Sequence, residues 1–226
     1  MINGVVRSMF IGIAGLTIEK KSPWWRAPYR GSAGAGKDEA ATVLLTEYGF
    51  QKLSFADPLK RICNDVYEFT DRQLWGSSEC RNAIDGRYGE LTPRKALQTL
   101  GDDWGRQNYA DTWIEYALRV SAKLAKGGWG YSSKWGLMLN ERAKPTHLVC
   151  TDLRYPNELA AIHKMGGITI RCKRLVDELK VRPTHRSEIA LLKVPDSAFT
   201  YVVENGSDIK GLHSKIRAIA EVLKPL

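Results

Sequence analysis

The sequence has no pair of cysteines at C-x-x-C spacing. Its four cysteines, Cys63, Cys80, Cys150 and Cys172, are widely separated, which argues against a zinc site. Cys150 and Cys172 each sit in a strand-like apolar run and read as buried, reduced thiols. No apolar run approaches the ~20 residues that a membrane span needs; Met9 to Leu16 is among the longest. The N-terminal stretch lacks a signal-peptide core followed by a small-residue cleavage site. The expectation is a soluble, cytoplasmic protein with no membrane partner. No internal repeat is visible, and no long Lys/Arg block, although the net charge is +9. A basic balance attracts polyanions, nucleic acid and nucleotides alike, so charge alone does not choose between them.

What is present suits a single α/β domain over 1–226, with 43% hydrophobic residues among 226. Phe10 to Gly15 reads as a buried first strand ending in glycine. Thr17 to Arg30 reads as an irregular loop. Lys37 to Tyr48 carries Ala40, Ala41, Leu44 and Leu45 at helical spacing, and Gly49 stops it. A second strand is expected over Gln51 to Phe55 and a helix from near Pro58. Residues 76–92, rich in glycine, serine and charge, read as a loop. Pro93 opens a helix. Thr112 with Glu115 forms a capping-box pattern ahead of an apolar face at Ile114, Ala117, Leu118, Ser121 and Leu124. Gly127 to Gly136, with Trp129, Tyr131 and Trp135, reads as a loop. His147–Thr151, Pro156–Met165 and Ile168–Cys172 give the clearest βαβ pattern. Tyr201–Val203 is a last strand, and Ser207 caps a last helix. Strands alternating with helices predict a central parallel sheet flanked by helices, with ligands beyond the carboxyl ends of the strands.

Gly31-Ser-Ala-Gly34-Ala35-Gly36-Lys37-Asp38 fits G-x-x-x-x-G-K, with Asp where Ser or Thr is usual. Glycines let the backbone curl so that successive N–H groups point at phosphate oxygens. The following helix adds its positive dipole end, and Lys37 supplies a cation for β/γ-phosphates. The motif should follow a strand directly, yet Trp24 to Arg30 is no buried strand. The simplest repair ends the strand at Gly15 and places an insertion before Gly31. Asp38 and Glu39 can hold Mg²⁺ or simply favour the helix N-terminus; both readings stand. Asp152 lies at the end of the third strand, where an acid can orient Mg²⁺. Arg154 lies two residues on and Glu158 one helical turn beyond it, so the trio can face one pocket. The alternative is a local Arg154–Glu158 pair with a capping Asp152.

Taken in order, Gly34-Ala-Gly-Lys-Asp38, Ser54-Phe-Ala-Asp-Pro-Leu-Lys60, Leu97-Gln98 through Gly101-Asp102 and Trp104-Gly-Arg106, Thr151 to Glu158, His185-Arg-Ser-Glu188 and Asn205-Gly-Ser207 resemble phage deoxynucleoside monophosphate kinases. The resemblance spans most of the chain. It implies a P-loop three-layer fold, ATP as donor, Mg²⁺ as cofactor and a dNMP as acceptor. It places Lys37 and Asp38 in the donor site, and Asp152, Arg154 and Glu158 at the reaction centre. Glu39 stands where the family usually carries Thr.

On the helix from Pro93, Arg94, Gln98, Gly101 and Gly105 share a stripe. Arg94 or Arg106 can clamp an acceptor phosphate, Gln98 can meet a base edge, and the glycines would let a flat ligand approach. Asp57 and Lys60 edge the same cleft, within an acceptor-binding helical region of about 57–130. The charge run from Arg171 to Arg186 reads either as a solvated face or as a lid of about 173–190, with Arg182 and Arg186 as the residues that close over the triphosphate. The expected partners are ATP and the dNMP, with no stable nucleic-acid partner; a homodimer is allowed. The location would be the host cytoplasm for a phage-encoded chain. The rival readings are a dephospho-CoA kinase-like enzyme and a basic nucleic-acid-binding protein with a degenerate P-loop.

Overall fold

The structure is a computed structural model that describes residues 8–20, 30–31, 34–177, 185–206 and 208–223. Along the chain run β1 (Phe10–Glu19), β2 (Arg30–Gly31), α1 (Lys37–Glu47), β3 (Gln51–Lys52), α2 (Asp57–Tyr67), α3 (Asp71–Trp75), α4 (Ser78–Asn82) and α5 (Pro93–Gln98). A π-helical stretch, Thr99–Arg106, follows α5, then α6 (Thr112–Lys126), β4 (Trp129–Ser132), β5 (Gly136–Leu139), β6 (Leu148–Cys150) and α7 (Pro156–Lys164). The chain ends with β7 (Ile168–Val176), α8 (Arg186–Ile189), β8 (Tyr201–Glu204) and α9 (Ile209–Leu223). Two compact units result: 1–52 with 145–226, and 53–144 inserted between β3 and β6.

The first unit is a three-layer α/β fold. Its five parallel strands lie in the order β3-β6-β1-β7-β8. Alternation along the strands assigns the two faces. Ile11, Ile13, Val149, Ile170, Cys172 and Val203 form one core with Ala40, Ala41 and Leu44 of α1 and Leu212, Ile216 and Ile219 of α9. Gly12 faces the other way: a Cβ there would come within 2.4 Å of Ile162 on α7. Helices therefore cover both faces, and each fully buried Leu or Ile contributes about 1.5–3 kcal/mol. Gly49, at φ +67°, ends α1 in the left-handed conformation, and Phe50 N–H returns to Leu44 O at 3.1 Å. The chain leaves β1 toward β3 on one side and later crosses to β7 and β8 on the other. The order therefore reverses at β1, and ligands in such sheets sit beyond the carboxyl ends there.

Several elements differ from expectation. β1 does not stop at Gly15, which pairs with Cys172 inside the sheet; it runs on to Glu19 beside β7. β2 returns antiparallel, with Thr17 opposite Gly31 and Ile18 opposite Arg30. The insertion before the glycine loop thus begins and ends as a strand pair; residues 21–29 and Ser207 lie outside the described residues. β7 likewise continues past Cys172. Residues 76–92 contain α4, capped by Ser77, and the 3₁₀ turn Gly86–Tyr88, in place of a plain loop. Gly127–Gly136 contributes to the β4–β5 hairpin, in which Trp129 pairs with Leu139. The Thr112/Glu115 capping box is not formed. Asp111 is the N-cap, and the Thr112 hydroxyl donates to Gly105 O and Tyr109 O at 3.0 and 2.7 Å.

All four cysteines are free thiols. Burial pushes Cys63 up to about 11 and Cys172 up to about 12, and raises buried Cys150 well above the ordinary thiol value. Cys80 is partly exposed, and hydrogen bonds from Ser77 and Arg72 lower its pKa. A thiol-reactive chromophore at pH 8 is therefore expected to label the native chain rapidly at Cys80 and to reach the other three only in denaturant. Rapid labelling of Cys150 or Cys172 in the native protein would contradict this packing. Among the described residues, no helix is long and apolar enough to cross a membrane.

Candidate active site

In the first unit, the turn entering α1 carries the phosphate-loop signature. Gly34 has φ +73° and Gly36, the residue before α1, has φ +91°. Side chains other than glycine adopt such angles only with strain. Ala35 between them is fully buried. Gly31 lies upstream in β2, opposite Thr17, and Ser32 and Ala33 fall outside the described residues. α1 begins at Lys37 with Asp38 and Glu39 in its first turn.

Lys37 is half-buried. Burial and the Arg154 guanidinium hold its pKa below the ordinary lysine value, while Asp38, Cys172 and Asp152 pull the other way. The loop lysine, Arg154, Asp38 and Asp152 therefore share one electrostatic neighbourhood, although they come from segments far apart in the sequence. A desolvated ammonium facing a second cation is best relieved by a bound anion.

β6 connects the loop to this second cluster. The Thr151 hydroxyl donates to Asp38 Oδ1 at 2.7 Å, and Lys52, just at the end of β3, reaches the same oxygen at 3.0 Å. Burial alone would raise the Asp38 pKa. The Thr151 hydrogen bond, Lys52 and Lys37 outweigh it and bring the carboxyl below its usual value. One residue earlier, buried Cys150 directs its thiol at Asp152 Oδ1 at 2.8 Å. Asp38 and Asp152 are oxygen donors of the kind Mg²⁺ takes, although among the described residues no group of three or more His, Cys, Asp or Glu side chains is gathered as a metal cluster. Glu39 does not join them: its Oε1 lies 2.6 Å from His213 Nε2 on α9.

Glu158 has a different setting from its two companions. It is only 1% exposed, and its Oε2 accepts the backbone N–H groups of Arg154 and Tyr155 at 2.7 and 3.0 Å. It fixes the 152–155 turn by holding its backbone, so Glu158 is tied to Arg154 through the Arg154 N–H.

The basic run also separates into parts. Arg171 is buried and donates to Val194 O, Leu191 O and Asp196, and its guanidinium stacks on Phe199. Lys173 reaches Asp196 at 2.8 Å. Those two cations anchor the segment after α8. Arg174 donates to Gly34 O at 3.2 Å. Arg182 lies outside the described residues; Arg186 is exposed at the start of α8, whose N-cap is His185, accepting from Ser187 N–H at 3.2 Å.

In the inserted unit, Asp57 is 2% exposed and accepts from Ser54 N–H at 3.0 Å and Tyr131 OH at 2.8 Å. It braces the start of α2 against the β4–β5 hairpin. Lys60 lies 5.7 Å from the centre of the Trp75 ring. Arg61, which no motif indicated, donates to Ser133 O at 2.9 Å and Tyr116 OH at 2.6 Å. Arg94 donates to Asn82 Oδ1 at 2.6 Å and Ser78 Oγ at 3.2 Å. Arg106 pairs with Asp102 at 3.4 Å and reaches Ala110 O. Gln98 is half-buried.

The glycine stripe does not receive a flat ligand. Trp113 fills it: its indole N–H donates to Gly101 O at 2.9 Å, and a Cβ on Gly105 would stand 2.3 Å from its ring. The cause is the π-helical stretch after Gln98. Its i→i+5 turns are wider than α turns, so a stripe drawn at α spacing loses phase beyond Thr99.

Sequence reading missed Lys52, Cys150, Thr151, Arg174, Asn205 and His213 as residues of this neighbourhood. Thr151, Arg174 and Asn205 lay within recognised segments. For the others only the tertiary fold gives the signal.

Compared with known proteins, the chain is 30% identical over 187 residues to a protein of Acanthamoeba polyphaga mimivirus named "Putative deoxynucleotide monophosphate kinase". The match covers 82% of this chain and 91% of the viral protein. No family model matches.

Proposed function

From the premise that this chain belongs to the family of the viral protein named "Putative deoxynucleotide monophosphate kinase", we propose that it transfers the γ-phosphoryl group of ATP to a deoxynucleoside monophosphate, giving ADP and dNDP. The observation that carries the reading is the desolvated Lys37 set among Arg154, Asp38 and Asp152, with Thr151, just past the carboxyl end of β6, bonded to Asp38.

In this reading the amides of Ala35 and Gly36, with Lys37, hold the β- and γ-phosphates. Arg154 neutralises the charge that spreads over the transferring group. Asp38 and Asp152 would hold Mg²⁺, which when bound neutralises phosphate oxygens. An oxygen of the acceptor phosphate attacks Pγ as the Pγ–O bond to ADP breaks. A phosphate monoester loses its second proton near pH ~6, so the acceptor is already a dianion at neutral pH and no side-chain base is required. His185 caps α8. Arg182 and Arg186 are the candidates for closing over the triphosphate. Lys60, Arg94, Gln98 and Arg106 are the candidates for the acceptor's phosphate and base, with Asp57 bracing the start of α2, which carries Lys60. Glu158 supports Arg154 through the backbone.

An acceptor panel tests substrate class. ADP release is measured with each of the four dNMPs, the matching ribonucleotides and dephospho-CoA. At least one dNMP is expected to raise turnover at least about 100-fold over the ATP-only background, in line with the effect of positioning a true acceptor. Turnover on dephospho-CoA alone would favour the other kinase class. No acceptor-dependent turnover, with steeply salt-dependent DNA binding, would favour a nucleic-acid-binding role.

A further inference from the structure

Two residues far from the loop in sequence grip its backbone. Asn205, in the turn after β8, donates its Nδ2 to Ala35 O at 3.1 Å. Arg174, on the extended part of β7, donates Nη1 to the neighbouring carbonyl, Gly34 O, at 3.2 Å. Asn205 is itself held, since its backbone N–H donates to Lys173 O at 2.7 Å. Its amide also packs so closely on the loop that a Cβ on Gly36 would come within 2.5 Å of Nδ2.

A trans peptide is planar, with its C=O and N–H pointing in opposite directions. The Gly34 carbonyl shares a plane with the Ala35 N–H, and the Ala35 carbonyl shares one with the Gly36 N–H. A donor that holds each carbonyl on one side therefore turns the following N–H to the other. The left-handed angles at Gly34 and Gly36 permit this arrangement but do not select it, because glycine adopts many conformations at similar cost. Without the two clamps, each peptide can rotate and withdraw its N–H from an anion.

We propose that Asn205 and Arg174 are positioning residues that pre-orient the Ala35 and Gly36 amides toward the triphosphate, with Asn205 the stronger of the two. This deepens the phosphate-loop reading and rests on it. Arg174 is exposed, so its hold is weaker, whereas Asn205 is half-buried and tied to β7. Pre-orientation spares the ligand the entropy of ordering the loop, so its loss appears in ATP binding more than in acceptor binding.

The test uses the full-length chain and a non-hydrolysable ATP analogue, titrated calorimetrically, alongside steady-state kinetics. Asn205→Asp keeps the shape and turns the donor into an acceptor facing a carbonyl. It is expected to weaken analogue binding by about tenfold or more and raise KM for ATP correspondingly, while KM for the acceptor and the melting temperature change little. Arg174→Ala, whose exposed side chain has no place in the core, gives a second reading without risk to folding; a loss of about two- to fivefold is expected. Wild-type binding with unchanged affinity in both variants overturns the inference alone. An equal rise in both KM values overturns it too, by pointing to general disorder. Absence of analogue binding by the wild-type chain overturns the phosphate-loop reading, and the inference with it.

Discussion

Replacing Lys37 with alanine is expected to lower kcat by about 10²–10³-fold, the loss seen when a preorganised charge on the reacting group is removed, while the melting temperature moves by only a few degrees. The two effects separate for a physical reason. The lysine sits in a place that disfavours its charge: burial comes first, then the Arg154 guanidinium. Removing the ammonium removes that penalty, so the fold loses little. A bound triphosphate reverses the balance, because the same dry surroundings strengthen its attraction to the cation. Lys37→Met, which keeps most of the aliphatic stem, is expected to match alanine in activity. A large fall in stability with either variant would instead make Lys37 a structural ion.

Glu158→Ala is expected to be the most damaging substitution for the fold near the site, at roughly 2–4 kcal/mol, or about 5–15 °C in melting temperature. It leaves the backbone N–H groups of Arg154 and Tyr155 without their carboxylate acceptor, in a place closed to water. The Arg154 turn then loosens, so activity falls as well. Glu158→Gln separates support from chemistry. A glutamine carbonyl oxygen can accept the same two N–H groups, so stability should return to within about 1 kcal/mol and kcat to within about tenfold of wild type. If Glu158 acted chemically on the transferring group, the glutamine variant would be as inactive as the alanine one. Thermal melts and initial rates on the three proteins decide between these outcomes.

The strand–helix alternation was legible because its causes are local. Ile11, Ile13, Val149 and Ile170 alternate toward one face, Ala40 and Leu44 repeat at helical spacing, and Gly49 ends α1 by adopting a left-handed angle. The placement of Gly34, Gly36 and Lys37 at the entry to α1, and of Asp152 just past β6, was legible for a related reason: a glycine-rich turn before an amphipathic helix and an acid at the end of an apolar run are local patterns.

The missed features depend on contacts distant in sequence. That β1 runs on to Glu19 depends on nine consecutive pairings with β7, from Ile11 to Glu19, which no window around Gly15 reveals. The Arg94–Gly105 stripe was drawn with an α period, whereas the backbone widens after Gln98 and Trp113, from the next helix, occupies the glycines. The Arg171-to-Arg186 run was read as one electrostatic feature. Alternation along β7 splits it: Arg171 goes into the core beneath Asp196 and Phe199, and Arg174 reaches the loop. Glu158 shows the limit of spacing most clearly. One turn after Arg154 is the right place for a salt bridge and equally the right place to cap backbone N–H groups, and the second is formed, from a buried carboxylate.

The most direct measurement follows the phosphoryl group itself. The chain is incubated with ATP labelled at the γ-phosphate, Mg²⁺ and an unlabelled dNMP, and the products are separated. The account requires the label in dNDP, in equal amount to the ADP formed, with Lys37→Ala transferring about 1% or less of it. Label released only as inorganic phosphate, or transfer to dNDP that survives loss of Lys37, would contradict it.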